Sequence, residues 1–319
     1  MSETKDAAAE SIDNPEHKPF SEIARQDQSP RLEFEKMPTS KFSPLFLDQP
    51  SRRTVAVNAG DYRLYVGGYA INGAFAELLK QRHGLALETL HDAYTELHSA
   101  LLAASRANGG TLVDATQMPE AVSLMTELKL AASMGIAGEG ADEDEFGLQA
   151  ASGAVFLHIF LGGSEPNGAA GNVAMLYVVG PKGEWCTGPK QGPLLPLERF
   201  LSAVERMSRR ALEIISEYNR RTAAVASIQE LRWCLVSGGV YCHWNATKLD
   251  VARATLRGMR EAKVFGLEVV TFTYDEDIFQ KALDSKASGD KGSEDPCGAS
   301  AISSSPAPGS CSSHGAGAG

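Results

Sequence analysis

The chain has 319 residues, with 30 Lys and Arg against 40 Asp and Glu, a net charge of −10, and 43% hydrophobic residues. That is apolar material enough for a sizeable core, and the acidic balance argues against direct binding to a nucleic-acid backbone, whose footprint is a basic patch; a basic groove inside an acidic shell stays open. No apolar run reaches the ~18 residues of a membrane-spanning helix, and Met1-Ser2-Glu3 lacks both the plan of a secretory signal and the glycine that myristoylation requires, so no membrane contact and a cytoplasmic or nuclear location are expected.

In chain order, residues 1–30 carry three basic and seven acidic side chains without apolar periodicity, and a disordered segment is expected there. The folded domain should run over 31–284. Thr54–Ala59 reads as a strand and Glu88–Ala107 as a helix, while Ala137–Gly147 reads as an exposed acidic loop. Ala154–Leu161, Val173–Val179, Leu231–Val236 and Leu267–Tyr274 are nearly continuous apolar runs, the pattern of strands covered on both faces. Between them, Phe200, Val204, Met207, Ala211, Ile214 and Tyr218 make one helical stripe; Leu249, Ala252, Leu256 and Met259 make another. Strands alternating with such helices predict an α/β domain with a largely parallel sheet. From Ser285 onward Ser, Gly, Ala and Pro dominate, and residues 285–319 are expected to form a flexible tail. Five cysteines without a CxxC pair predict reduced thiols at Cys186, Cys234 and Cys242.

Chemistry concentrates where a strand runs into glycines. The first such place is Val57-Asn58-Ala59-Gly60-Asp61 followed by Gly67-Gly68-Tyr69-Ala70-Ile71-Asn72-Gly73. The second is Val236-Ser237-Gly238-Gly239-Val240-Tyr241, with a helix from about Thr247. Absent Cβ atoms let the backbone approach a ligand, and successive N–H groups can converge on one anion. Two such loops could grip a diphosphate at the ends of parallel strands. Other patterns carry less. His91 and His98 share a helical face without a third ligand, the Asp142–Glu145 run reads as a solvated loop, and no metal or cofactor motif occurs.

The Val-Asn-Ala block, the Gly-Gly pair and the following Asn-Gly-Ala resemble the first ligand loop of macrodomains, the ADP-ribose-binding family. Val178-Val179-Gly180-Pro181, Ser237-Gly238-Gly239-Val240-Tyr241 and the final strand Val269–Asp277 resemble three further blocks in the same order. The resemblance implies a three-layer α/β/α macrodomain-like fold with a mixed, mostly parallel central sheet and an insertion around 88–171. It implies binding of ADP-ribose or an ADP-ribosylated macromolecule, with no metal or cofactor. Gly67, Gly68, Ser237, Gly238, Gly239 and Val240 would surround the diphosphate, and Asp61, Asn72 and Tyr241 the distal ribose. Asp48 would hold the adenine, Tyr274 or Phe279 would flank it, and Asn58 would brace the first loop. Here the family's Asn and Asp are exchanged, standing as Asp61 and Asn72. An amide cannot act as a general base, so hydrolysis of an ADP-ribosyl or O-acyl-ADP-ribose linkage would fall to Asp61. The alternatives are a non-catalytic scaffold that has lost the ligand, or a hydrolase of another nucleotide diphosphate.

Overall fold

The computed structural model describes residues 27–35, 53–60, 64, 70–84, 87–138, 151–162, 172–181, 196–223, 226–239, 241–260 and 262–285. Eight strands form one sheet in the order β2 (Arg31–Phe34), β10 (Val269–Phe272), β8 (Glu230–Trp233), β3 (Thr54–Gly60), β7 (Val173–Val179), β6 (Val155–Phe160), β5 (Leu130–Ile136), β4 (Val113–Asp114). The first five are joined by four parallel pairings and the last three continue the sheet by three antiparallel ones. A two-residue ribbon, β1 (Asp27–Gln28) with β9 (Val264–Phe265), lies apart from this sheet.

Every residue of β6 and β7 is buried, because helices cover both faces. On one face lie α1 (Ala70–His83), α2 (Leu87–Ala107) and α3 (Pro119–Glu127); on the other lie α4 (Leu197–Arg221), α5 (Lys248–Arg260) and α6 (Glu276–Asp284). The expected three-layer α/β/α architecture is therefore present. The stretch that the family resemblance leaves without a counterpart builds α2, α3 and the antiparallel extension β4–β6. Most of the expected acidic loop, residues 139–147, lies outside the described residues, as do the expected disordered ends apart from residues 27–30 and Ser285.

Helix α4 is fastened at both ends of its length. Its buried stripe includes Phe200, Val204, Met207, Ala211, Ile214 and Tyr218, the residues the periodicity selects. Near its end the buried Asn219 amide donates to Ile228 O (2.8 Å) and Phe265 O (2.9 Å) and accepts from Ile228 N (2.7 Å). Where α4 crosses α5, a Cβ on Gly258 would run into the Glu205 carbonyl oxygen. Beside that crossing the Arg257 Nε reaches Glu205 at 2.9 Å.

Polar groups also enter the sheet. Glu230 and Arg232 are both about 4% exposed and meet at 3.1 Å. The Glu230 carboxylate also accepts from Thr271 Oγ1 at 2.9 Å and Thr54 Oγ1 at 3.0 Å, tying three adjacent strands together. A buried carboxylate is tolerated when its acceptor sites are filled in this way.

Candidate functional site

Strands β10, β8, β3 and β7 are neighbours and parallel, so their C-terminal ends share one edge of the sheet. At the end of β8 the chain turns through Ser237 with φ +63°. Ser237 Oγ donates to Pro181 O at 3.0 Å, which joins this turn to the end of β7. The join is close enough that a Cβ on Gly180 would overlap the Ser237 hydroxyl, and a Cβ on Gly238 would overlap Leu235. Gly239 differs: it is exposed and a Cβ there would meet nothing within 4 Å. The turn is thus built by close packing on one side and left open on the other.

The end of β10 lies next to it, through Thr273 N donating to Trp233 O at 2.8 Å. Tyr274 and Asp275 follow with φ of +48° and +60°. Burial pushes the Tyr274 phenol up to about 12, with the Cys234 thiol adding to it, so it remains a neutral donor at any physiological pH. Asp275 takes an ion pair from Lys248 Nζ at 3.0 Å, the first residue of α5. The expected alternative, Phe279, is fully buried against Phe272 with ring centroids 4.2 Å apart and serves the core.

The helix behind the second loop is capped by its own side chains. Thr247 Oγ1 accepts from Asp250 N at 3.1 Å while Asp250 Oδ2 accepts from Thr247 N at 3.0 Å. This reciprocal pair fills donors of the first turn and sets a carboxylate against the positive dipole end. An anion at the Ser237–Gly239 turn would therefore draw on the turn's own N–H groups more than on α5.

Asn58, in β3, is wholly buried; its Nδ2 donates to Asn72 Oδ1 in α1 at 2.9 Å and lies 3.6 Å from Met175 Sδ. Asn58 Oδ1 finds no donor among the described residues. The two residues that sequence reasoning set in different roles are thus direct partners. Two residues further along β3, a Cβ on Gly60 would fall inside the Tyr177 ring. Tyr241 is half-buried beyond Gly239. Asp48, Asp61, Gly67, Gly68 and Val240 lie outside the described residues.

Sequence reasoning missed what stands behind the first loop. Leu64, at φ +66°, accepts from His98 Nδ1 at 2.7 Å. His98 Nε2 and His158 Nε2 are 2.8 Å apart, and His158 Nδ1 lies 2.9 Å from Ser133 Oγ. The carbonyl at one end sets the direction of the whole chain: Ser133 donates to His158, His158 to His98, and His98 to Leu64. Burial pushes the His98 imidazole down to about 3 and His158 lower than its ordinary range, so each ring is neutral with one N–H. Tyr94, Phe156 and Tyr177 pack around the pair. The His91–His98 spacing pointed to the helix face, and the partner from β6 carried no sequence signal.

Cys242 is disulfide-bonded, which overturns the expectation of a reduced thiol there. Cys234 is a buried free thiol. Desolvation raises Cys234 to about 12, an unreactive group. Among the described residues no cluster of His, Cys, Asp or Glu could hold a metal ion, and no helix is long and apolar enough to cross a membrane.

A model of the mitochondrial association factor 1 C-terminal domain matches residues 35–276. DNA/RNA-binding protein ALBA4 of Plasmodium falciparum is 30% identical over 251 residues, covering 76% of this chain and 63% of that protein. Mitochondrial association factor 1 form a1 of Toxoplasma gondii is 33% identical over 147 residues, 44% of this chain and 33% of its own length. The chain thus spans less than two thirds of these curated relatives. An Oceanobacillus iheyensis macrodomain with MES bound shows 16% identity and a TM-score of 0.41, covering 83% of this chain and 96% of its own. Poly(ADP-ribose) glycohydrolase from Deinococcus radiodurans in complex with ADP-ribose shows 15% identity and a TM-score of 0.40, covering 83% and 90%.

Proposed function

Because the chain belongs to the mitochondrial association factor 1 C-terminal domain family, whose relatives are named for association and binding rather than for a reaction, we propose that it is a binding module for ADP-ribose or an ADP-ribosyl group. The observation that carries this reading is the Ser237–Gly239 turn at the shared edge of four parallel strands. It is packed tightly at Gly238 and open at Gly239. A crevice at the carboxyl ends of parallel strands is where α/β sheets take nucleotides. The neutral Tyr274 side chain on the adjacent strand end offers an aromatic face. Asn58 Oδ1, which finds no donor among the described residues, is an acceptor that a ribose hydroxyl would satisfy.

Binding stands apart from hydrolysis in this proposal. Asn72 cannot take up a proton, and its carbonyl oxygen is already committed to Asn58. Cleavage of a linkage at the distal ribose would rest on Asp61 alone.

The test is thermal unfolding with about 1 mM ADP-ribose, with AMP and ribose 5-phosphate as controls. Ligand at ~100 Kd adds roughly 2.7 kcal/mol, a rise of several degrees in Tm for a domain of this size. Gly239→Val should keep the ligand-free Tm, since a Cβ there meets nothing within 4 Å, and abolish the rise. Absence of any rise in the folded wild type would leave the scaffold reading in its place.

A further inference from the structure

Away from the strand-end loops, α4 presents a second concavity. An open cleft of about 670 Å³ lies between this helix and the turn at Gly110–Leu112 that leads into β4. Its walls carry Arg206, Arg209, Arg210, Arg220, Arg221 and Lys263 against two acids, Glu213 and Glu217. The cleft thus holds 6 − 2, or +4, in a chain of net −10, leaving −14 over everything else. It shares no residue with the turn at Ser237–Gly239.

Arg206 and Arg210 stand four apart on one helix face, an arrangement that like charges disfavour. Some of the charge is answered within the protein: Arg221 reaches Glu217 at 2.7 Å and Asp114 at 2.9 Å, and Arg209 reaches Glu205 at 3.5 Å. The six cations still outnumber the four acids, Asp114, Glu205, Glu213 and Glu217, and exposed Lys263 has no acid partner among the described residues.

We propose that this cleft binds a compact polyol bearing several phosphates. Guanidinium forks suit phosphate oxygens, two parallel donors to one group. The volume is that of a small-ligand site. The cations fall in two clusters, Arg206–Arg210 and Arg220–Lys263, with Glu213 and Glu217 between them. Such a pattern suits phosphates at two ends of a ligand and hydroxyl donors in its middle. An unbroken phosphodiester strand would instead lay charge against those carboxylates. At physiological salt the field reaches only ~8 Å, so a small anion within the cleft feels the charges that line it and little of the rest of the molecule. The apolar lining is Leu112 and Ile136, without an aromatic platform for a base.

The test uses the full chain with inositol 1,4,5-trisphosphate in calorimetric titration, vesicles carrying the same headgroup, and a 12-nucleotide single-stranded RNA. Saturable binding is expected, weakened ~10-fold or more by Lys263→Glu and by Arg210→Glu, each a lost charge-assisted contact, and unchanged in Gly239→Val. Ligand-free melting curves of the variants control for folding. Binding to the soluble headgroup assigns a free phosphate ligand; binding confined to the vesicles assigns a lipid source of the same chemistry. No binding by wild type in either form, indifference to both charge reversals, or tighter capture of the RNA would overturn the proposal.

Discussion

The buried imidazole pair ties the stability of the protein to pH. In the unfolded chain His98 titrates near ~6.5; in the folded protein burial holds it near 3. Above pH 6.5 both states are neutral and the pair costs nothing. As the pH falls below 6.5 the unfolded chain takes up a proton that the folded protein refuses. Stability therefore declines from about pH 6.5 toward 3, by about 2 kcal/mol at pH 5 for His98 alone, with His158 acting in the same direction. Urea unfolding at pH 7 and pH 5 would show this, and the difference should shrink in His98→Phe. Equal pH dependence in both proteins would contradict the assignment. Because His98 also holds the Leu64 carbonyl, its imidazole fixes one point of the chain between β3 and α1.

At the level of elements, α4 works on two sides at once. Its apolar stripe covers β5, β6 and β7, and the Arg206–Arg221 stretch, about 22 Å long at 1.5 Å per residue, forms a wall of the cleft. The inner side was legible from the 3.6-residue period of Phe200, Val204, Met207, Ala211, Ile214 and Tyr218. The outer side was not, because charged residues off a stripe look alike whether they face open water or a cleft wall from another element. The same helix depends on Gly258. In Gly258→Ala the added methyl must push α5 from α4, since the obstacle is the Glu205 carbonyl rather than a flexible side-chain tip. An overpacking cost of about 1–3 kcal/mol is expected, seen as a drop of several degrees in Tm with the Arg257–Glu205 pair loosened. A melting temperature equal to wild type would show that the helices have room to separate.

Across the whole molecule, the strands buried on both faces were the readable ones. Continuous apolar runs at 54–59, 154–161, 173–179, 231–236 and 267–274 overlap β3, β6, β7, β8 and β10, because covering both faces leaves little choice of residue. The remaining strands were harder. Strand β5 reads Leu-Ala-Ala-Ser-Met-Gly-Ile, small and interrupted, since Ser133 bonds a histidine and Gly135 makes room for Phe156 and Leu101. Strand β2, Arg-Leu-Glu-Phe, is a half-exposed edge with two charges and carried no signal of its own. At the site, the Ser-Gly-Gly turn was visible as composition. The Asn58–Asn72 bond and the Gly60–Tyr177 fit were not, because each joins residues whose approach is set by the sheet register.

That edge strand has a consequence for how the protein comes into being. Arg31 lies beside Val269 in the sheet, so this segment waits for one synthesised much later before it can pair. Closing so long a loop is entropically costly, and four residues gain little for it. β2 should therefore dock late and open first, exchanging its amide hydrogens well before β3, β7 and β8 do. Whenever it lifts, β10 is left with a bare row of backbone donors and acceptors. A truncation beginning after residue 35 should then self-associate in light scattering where the full chain does not; a monodisperse truncation would show that β10 is guarded by something other than its neighbour.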